Sequence, residues 1–316
     1  MSLIVASQIG PEFDSLAASH PAVARVIPLP LDDAAAVGAI AAEADALIVR
    51  PAPVWKSIAA AGPPAAWPGK LRWVHSTSAG VDYYPEWLAD APWFSCGRGA
   101  ASDQVADYVI GAIYAHAKDF AALSIHAADQ WAPRPQRNVF GRTVAILGLG
   151  SIGLAIAHRV RALGAHPVGI RRSGAPADGI AHAGSIEEAV AIADDIVIAL
   201  PATGATRGLV DARLLAHAKP DAHLINIARG SIVDQDALLA ALDADRLGFA
   251  TLDVTDPEPL PAGHPLYTHP KVRVTPHLSS NWPTVIPGLH RQILDNIAAV
   301  AQGGPPANLV IRSRGY

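Results

Sequence analysis

The sequence of 316 residues has almost no cysteine, a small charged fraction and no long uninterrupted apolar run. Its single cysteine, Cys96, excludes an intramolecular disulfide and supplies no group of thiols for a structural metal. No apolar run reaches the roughly 18 residues that a membrane-spanning helix requires, and the first residues lack the basic and apolar regions of a secretory signal. We therefore expect a cytoplasmic protein without disulfides, metal sites or membrane contacts.

Neither sign of charge is in large excess. Charged residues make up 16% of the chain, and 24 basic against 28 acidic residues leave a formal net charge of -4. Because this balance provides no overall positive field, we expect no nucleic-acid partner. The hydrophobic fraction of 51% is instead typical of a well-packed enzyme, and the length predicts two domains.

The sequence begins with a regular alternation of short apolar runs and alanine-rich stretches, which predicts a βαβ series. We place its strands at Leu3–Ala6, Val26–Leu29, Ala46–Val49 and Trp73–His75. The next long pattern, residues 97–120, predicts a helix with Ser102 as its N-terminal cap.

A second and stronger alternation follows a polar, proline-broken segment at residues 129–142. Its apolar runs are TVAIL, HPVGI, DIVIAL, HLINIA, FATLDV and VRVT, which begin at residues 143, 166, 195, 223, 249 and 272. Such nearly continuous apolar strands are typical of a parallel sheet covered on both faces. Ser185 and Glu188 have the spacing of a capping box and predict the start of one intervening helix.

A glycine-rich segment, Gly148-Leu149-Gly150-Ser151-Ile152-Gly153, joins the strand TVAIL to the next helical pattern. The first glycine permits a tight turn, the second lets the backbone approach a pyrophosphate, and the third allows close packing of the helix. The strand before and the helix after distinguish this segment from an ordinary turn. We therefore predict a dinucleotide-binding loop.

The choice of dinucleotide depends on Arg171, Arg172 and Ser173, which follow the strand HPVGI. Many such folds have an acidic residue here, which binds the ribose hydroxyls of NAD. Two guanidinium groups instead favour a 2′-phosphate, because they bind it with charge-assisted hydrogen bonds. We expect NADP(H) to be preferred over NAD(H); the alternative is a solvated basic turn.

Three polar residues follow other strands of the second series: Arg229 after HLINIA, Glu258 after FATLDV and His277 after VRVT. The carboxyl ends of parallel strands share one edge of the sheet, so distant residues can converge there. Histidine suits proton donation to the oxygen of a 2-oxo acid near neutral pH. Glu258 would orient the imidazole, and Arg229 would polarise the carbonyl and bind the carboxylate.

The first series has two weaker candidates for substrate binding. Residues 76–82, STSAGVD, follow a strand and could present backbone amides to a carboxylate; a simple turn is the alternative. Arg50 ends the strand ALIVR, and it either contacts substrate or faces solvent.

Together these patterns predict two doubly wound α/β domains with parallel sheets. A Rossmann dinucleotide domain, residues 98–283, is inserted into a smaller, flavodoxin-like substrate domain made of residues 1–97 and 284–316. The last helical pattern, residues 285–302, would return to the substrate domain.

Six segments in this order resemble the D-isomer-specific 2-hydroxyacid dehydrogenase family: STSAGVD, QVADYV, TVAILGLGSIG, INIARGSIVDQDALLAAL, ATLDVTDPEPLP and VTPH. The two arginines after the second strand, HPLYTHPKV and the closing RSRGY resemble most the glyoxylate/hydroxypyruvate reductase branch. The resemblance implies a homodimer and a catalytic set of Arg229, Glu258 and His277. It assigns substrate binding to Ser78, Ala79 and Gly80, and further cofactor contacts to Leu200, Pro201, Thr206, Ile227, Ala228, Asp253 and Ser279.

We therefore expect an NADPH-dependent reductase of small 2-oxo acids such as glyoxylate or hydroxypyruvate. Two alternatives stay open: the same fold acting on a bulkier 2-oxo acid with NAD(H), and a nicotinamide-sensing binding protein. One departure bears on the pocket, since Ser279, Ser280, Asn281 and Trp282 stand where many members have small residues.

Overall fold

The structure, a computed structural model, describes residues 2–64, 67–172, 174, 177, 179–280, 282–311 and 314. The chain folds into two compact units. Unit 1 comprises Met1–Ala100 and Trp282–Tyr316, and unit 2 comprises Ala101–Asn281. The sequence patterns predict the two domain boundaries at residues 97–98 and 283–284, within a few residues of the observed boundaries.

Strands and helices alternate in both units. The strands are β1 (Leu3–Ser7), β2 (Val23–Pro28), β3 (Ala46–Val49), β4 (Trp73–Ser76), β5 (Trp93–Cys96), β6 (Thr143–Leu147), β7 (His166–Ile170), β8 (Ala181–His182), β9 (Asp195–Ile198), β10 (His223–Asn226), β11 (Phe249–Leu252) and β12 (Val272–Val274). The α-helices are α1 (Pro11–Ala18), α2 (Ala34–Glu43), α3 (Val54–Ala61), α4 (Ser102–Lys118), α5 (Phe120–Leu123), α6 (Ser151–Ala162), α7 (Ile186–Ile192), α8 (Ala212–Leu215), α9 (Gln235–Asp243) and α10 (Trp282–Ala301). Among the described residues, no helix is both long enough and apolar enough to cross a bilayer.

Unit 1 contains a parallel sheet with the order β2-β1-β3-β4-β5, which is the flavodoxin-like order. All residues of β3 and β4 are buried, as expected for central strands covered on both faces. The predicted bounds Val26–Leu29 were wrong, because β2 already begins at Val23. The sequence analysis missed β5, whose four residues WFSC lack the β-branched run that marks the other strands.

The C-terminal segment completes unit 1. Helix α10 is longer than the predicted 285–302 at its start, since Pro283 occupies a first-turn position where an N–H has no partner in the helix. Arg72 Nη2 donates to the Val300 carbonyl over 2.9 Å, and the Val310 N–H donates to the Phe94 carbonyl over 2.8 Å. Hydrogen bonds therefore join the C-terminal segment to the first hundred residues within unit 1.

Unit 2 contains a parallel sheet with the order β12-β11-β10-β9-β6-β7-β8. Counted along unit 2 alone, this is the Rossmann order 3-2-1-4-5-6 with one further strand, which confirms the predicted fold. The predicted strands at TVAIL and HPVGI have the observed bounds. Strand β8 was missed because its two residues are both exposed and carry no apolar pattern.

The two predicted helix caps had different outcomes. The Glu188 N–H donates to Ser185 Oγ over 3.1 Å, as predicted, but the Glu188 carboxylate accepts from the Gly184 N–H rather than from that of Ser185. The Ser102 prediction was wrong: Ser102 is the first residue of α4, Ala101 precedes it as the cap, and no side chain of the described residues caps the helix. The buried Ser102 Oγ has no hydrogen-bond partner among the described residues.

An unpredicted buried histidine lies at the centre of unit 1. His75 in β4 is fully buried beside Trp73, and its Nδ1 lies 2.8 Å from Ser95 Oγ. Burial lowers the pKa of His75 from 6.5 to about 3, because the interior disfavours the charged ring. In the unfolded chain the His75 imidazole therefore binds a proton below pH 6.5, whereas in the folded state it stays neutral down to about pH 3.

We expect the free energy of unfolding of unit 1 to decrease as the pH is lowered from 6.5 to 5. His75 alone should contribute about 2 kcal/mol to this decrease. The sign follows because the unfolded state binds more protons over this range. In His75→Asn the fall should be shallower, although the variant is less stable at pH 7.5. Urea unfolding followed by tryptophan fluorescence measures both slopes, with the exposed His126→Gln as control. Equal slopes in wild type and His75→Asn would exclude this account.

Candidate active site

The carboxyl-terminal edge of the unit 2 sheet carries the predicted catalytic and cofactor residues of that unit. Since every strand pair in the sheet is parallel, the loops after β6, β9, β10, β11 and β12 leave the same edge. The glycine loop, Leu200, Arg229, Glu258 and His277 follow these strands in that order.

The three glycines of the loop after β6 have separate structural reasons. Gly148 has φ +109°, and a Cβ there would lie 2.5 Å from the Ala199 carbonyl oxygen. A Cβ on Gly153 would collide with the Gly148 carbonyl, so α6 packs directly on the turn. Around Gly150 there is open space for a Cβ, and hence for a ligand. Gly148 and Gly153 therefore form the turn, and Gly150 leaves its outer face accessible.

Helix α6 offers an anion its N-terminal turn. The helix begins at Ser151 with Gly150 as its cap residue, and among the described residues no side chain accepts from the first-turn N–H groups. Those N–H groups have no acceptor within the helix, and the helix dipole adds partial positive charge. The residues present therefore fit a dinucleotide phosphate.

The two predicted arginines directly follow β7, beside the glycine loop. The N–H groups of Gly148 and Leu149 both donate to the Ile170 carbonyl over 3.1 Å, and Arg171 is the next residue. Arg171 is half-buried and Arg172 is exposed. Ser173 lies outside the described residues. A cationic turn thus stands where an acidic residue would select NAD.

The loop after β9 is held by its own hydrogen bonds. Thr206 Oγ1 donates to the Pro201 carbonyl over 2.7 Å and accepts from the Thr203 N–H over 2.8 Å. The Ala199 carbonyl of the same loop is the atom that keeps a side chain off Gly148. Thr206 therefore shapes the loop that passes the glycine turn, and its predicted cofactor contact stays a prediction.

Arg229 is positioned by Asn226 at the end of β10. Asn226 Nδ2 donates to the Arg229 carbonyl over 2.9 Å, and Asn226 Oδ1 accepts from the Ala228 N–H over 3.1 Å. Arg229 Nη1 donates to the Ala228 carbonyl over 2.8 Å, and the side chain is half-buried. Ile227 and Ala228 are buried, so Arg229 follows a buried backbone that Asn226 holds by hydrogen bonds.

The loops after β10 and β11 touch through Gly230. A Cβ there would overlap the Thr255 carbonyl group, so only glycine allows this approach. Gln235 ties the same loops together, because its amide donates to the Asp256 carbonyl over 2.6 Å and accepts from the Asp256 N–H over 3.1 Å. Sequence reasoning missed both residues, although the glycine directly after Arg229 was visible in ARGSIV.

His277 and Glu258 form the pair that the sequence predicted. His277 Nδ1 lies 2.7 Å from Glu258 Oε1, and both side chains are nearly half exposed. Because the carboxylate accepts only, Nδ1 carries the proton and Nε2 is directed away from Glu258. His277 has φ +50°, which is uncommon for a residue other than glycine. A conformation of this kind persists only where the surroundings enforce it.

Asp253 fixes the conformation of the loop that carries His277. Its carboxylate accepts from Thr275 Oγ1 over 2.7 Å, the Leu278 N–H over 2.8 Å and the Ser279 N–H over 2.9 Å. Its main-chain carbonyl accepts from the His277 N–H over 2.9 Å. Asp253 and Ser279 are buried. Their predicted cofactor contacts stay predictions, while the structure gives Asp253 a role in shaping the loop.

Unit 1 carries the predicted substrate residues on two loops after its own strands. Ser78 Oγ donates to the Gly80 carbonyl over 2.6 Å, which bends the loop after β4. Among the described residues, no group accepts the N–H of Ala79 or Gly80. Arg50, after β3, places its guanidinium carbon 5.6 Å from the centre of the Trp282 ring. Sequence reasoning missed this contact, since the two residues are far apart in the chain.

The comparisons with known proteins agree with these motifs. The model of the D-isomer specific 2-hydroxyacid dehydrogenase NAD binding domain matches residues 110–279. Glyoxylate/hydroxypyruvate reductase A of Serratia proteamaculans is 33% identical over 260 residues, which are 78% of this chain and 82% of that protein. The protein of the same name from Yersinia enterocolitica is 30% identical over 260 residues, which are again 78% of this chain and 82% of that protein.

Solved structures give the same result over the full chain. A D-isomer specific 2-hydroxyacid dehydrogenase from Xanthobacter autotrophicus, in complex with NADPH and MES, is 29% identical with a TM-score of 0.81 and covers 100% of both chains. The NADPH-dependent glyoxylate/hydroxypyruvate reductase of Sinorhizobium meliloti, in complex with NADP and sulfate, is 25% identical with a TM-score of 0.82 over 100% of both chains. This chain therefore belongs to the D-isomer specific 2-hydroxyacid dehydrogenase family, as its motifs predict, and within that family it is similar to the glyoxylate/hydroxypyruvate reductase A proteins.

Proposed function

We propose that this enzyme reduces small 2-oxo acids such as glyoxylate and hydroxypyruvate with NADPH, and that the product has the D configuration where a stereocentre forms. The observation that carries the proposal is the 2.7 Å contact between His277 Nδ1 and Glu258 Oε1, on the sheet edge that also holds Arg229 and the glycine loop. The names of the relatives support the substrate class.

In this proposal His277 is the proton donor. Its Nδ1 is engaged by Glu258, so Nε2 is the nitrogen that delivers a proton to the substrate carbonyl oxygen. The Glu258 carboxylate accepts from Nδ1 and so keeps the ring oriented. The Arg229 guanidinium polarises the carbonyl and binds the substrate carboxylate. The N–H groups of Ala79 and Gly80 in unit 1 are proposed as a second carboxylate-binding group.

The cofactor would be held by the glycine loop and the N-terminal turn of α6, with Arg171 and Arg172 at the 2′-phosphate. When bound, the nicotinamide supplies the hydride. The fit rests on the open space at Gly150 and on the first turn of α6, which no side chain of the described residues caps. Preference for NADPH rests on the two arginines after β7, because each guanidinium can form charge-assisted hydrogen bonds with phosphate oxygens.

The exposed apolar surface of unit 2 supports a homodimer. Phe120 in α5 and Trp131 in the following segment are 71% and 83% exposed. Large aromatic side chains are enriched at the cores of protein interfaces. We propose that a second copy of this chain covers them.

The first test concerns the reaction. Wild-type enzyme with NADPH should reduce glyoxylate and hydroxypyruvate with a higher kcat/KM than phenylpyruvate. His277→Ala should lower kcat/KM by about 10²- to 10⁴-fold, since it removes the proton donor. Glu258→Gln should lower it by about 10²-fold, because a neutral amide accepts the Nδ1 hydrogen bond more weakly and orients the ring less well.

The exposed His217→Ala is the matched control, and its kcat/KM should equal that of the wild type. Absence of turnover across a panel of 2-oxo acids, or full activity of His277→Ala, would refute the proposed reaction. Faster turnover of phenylpyruvate with NADH would support the alternative of a bulkier substrate. Dinucleotide binding without turnover would favour a sensing role.

The second test concerns the cofactor. Replacing both Arg171 and Arg172 with Ala should raise the Kd for NADPH by about 10²-fold, because charge-assisted hydrogen bonds to a phosphate contribute about 1.5–3 kcal/mol each. The Kd for NADH should change by less than about 3-fold, since NADH has no 2′-phosphate. Fluorescence titration measures both values, with the exposed Arg213→Ala as control. Equal losses for the two cofactors would contradict the assignment.

The third test concerns assembly. Wild-type protein should sediment as a dimer at micromolar concentration, and the double variant Phe120→Glu/Trp131→Glu should sediment as a monomer, because two buried carboxylates oppose association. The matched control is Leu16→Glu on α1, whose side chain is 46% exposed. A monomeric wild type, or a double variant that stays dimeric, would rule out this interface.

A further inference from the structure

Behind the loop that carries His277, three side chains form a continuous hydrogen-bonded chain within unit 2. The Tyr108 hydroxyl lies 2.6 Å from Thr275 Oγ1, and Thr275 Oγ1 lies 2.7 Å from Asp253 Oδ1. The carboxylate can only accept, so the Thr275 hydroxyl donates to Asp253. That uses the single proton of Thr275, and Tyr108 must therefore donate to Thr275. The direction of every hydrogen bond in the chain is determined.

These hydrogen bonds end on the backbone of the loop that carries His277. Beyond Thr275, the Asp253 carboxylate accepts from the N–H groups of Leu278 and Ser279, and the Asp253 carbonyl accepts from the N–H of His277. The turn around His277 is thus bound on both sides by one buried residue. This turn includes the left-handed conformation of His277 at φ +50°. Such a conformation relaxes if the hydrogen bonds that hold the turn weaken.

Tyr108 is suited to act as a permanent donor. It lies in the second turn of α4 and is half-buried. Burial raises the pKa of its hydroxyl above 10, outweighing the lowering by the hydrogen bond with Thr275. The hydroxyl therefore keeps its proton across the physiological range. A phenylalanine would fill the same space without the donor, which makes the hydroxyl separately testable.

We propose that Tyr108 is a positioning residue for His277: its hydroxyl holds the Thr275 hydroxyl on Asp253, and Asp253 holds the loop that aims the imidazole. This inference rests on the proposed function, in which His277 donates the proton. Tyr108 contacts neither His277 nor Glu258 in the contacts that the structure describes, so its effect is exerted through the loop. A purely structural tie between α4 and the sheet would stabilise unit 2 without altering the aim of His277.

The test compares Tyr108→Phe, Thr275→Val and Thr275→Ser with the wild type. Tyr108→Phe should lower kcat by about 3- to 10-fold, the effect of one net hydrogen bond on geometry in the transition state. Thr275→Val removes both bonds and should lower kcat by about 10- to 100-fold, whereas Thr275→Ser keeps the hydroxyl and should restore most of it. The KM for glyoxylate and the Kd for NADPH should change by less than about 2-fold, because ground-state binding does not require the aim of His277.

A second measurement does not depend on turnover. Hydrogen exchange of the Leu278 and Ser279 amides, measured by NMR, should be about 10-fold faster in Tyr108→Phe, because their acceptor is less well held. The control is Tyr114→Phe on the same helix, whose hydroxyl bonds no described residue. Its kcat and amide exchange should match the wild type.

The outcomes separate the two proposals. If the wild type reduces no 2-oxo acid, the proposed function fails, yet amide exchange still decides whether Tyr108 holds the loop. If Tyr108→Phe lowers only the melting temperature and leaves kcat and amide exchange unchanged, Tyr108 is a structural tie and the inference is overturned. If kcat falls together with a large rise in the Kd for NADPH, the hydroxyl supports cofactor binding, and the inference is likewise overturned.

Discussion

The reactive edge of unit 2 depends on a single buried carboxylate. Asp253 follows β11 directly and accepts three hydrogen bonds from the segment after β12, while its own N–H donates to the Asn226 carbonyl at the end of β10 over 3.0 Å. Three neighbouring strand ends are therefore linked through one residue. A buried carboxylate is costly unless its oxygens are bonded, and here the backbone and a hydroxyl satisfy it. The same bonds oblige His277 to adopt its strained turn.

Much of the fold could be predicted because parallel strands covered on both faces appear as continuous apolar runs. The runs at residues 143–147 and 166–170 have the observed strand bounds for this reason. The direction of parallel strands then places their carboxyl ends on one edge, so topology predicted that His277 and Glu258 lie on the same edge. Their 2.7 Å contact is visible only in the structure. The glycine loop was predictable because its context, strand then helix, is local.

The remainder depends on contacts between distant parts of the chain. Tyr108 and Thr275 are 167 positions apart, and nothing around either residue marks the other as its partner. Gly230 reads as an ordinary turn glycine until the neighbouring loop is seen to lie against it. Ser102 was mistaken for a cap because serine is also accepted at the first helical position, and only backbone geometry distinguishes the two. Boundaries and positioning residues are therefore tertiary properties.

The path of the chain also bears on how the protein folds as it is made. Unit 2 is contiguous, whereas unit 1 joins residues from both ends of the chain. The edge strand β5 receives its antiparallel partner at Leu309, which is synthesised more than 200 residues after Ser95. Domains generally fold as units in the order in which they emerge. Unit 2 can therefore fold before α10 is available to the first hundred residues, and during that interval the core of unit 1 is incomplete.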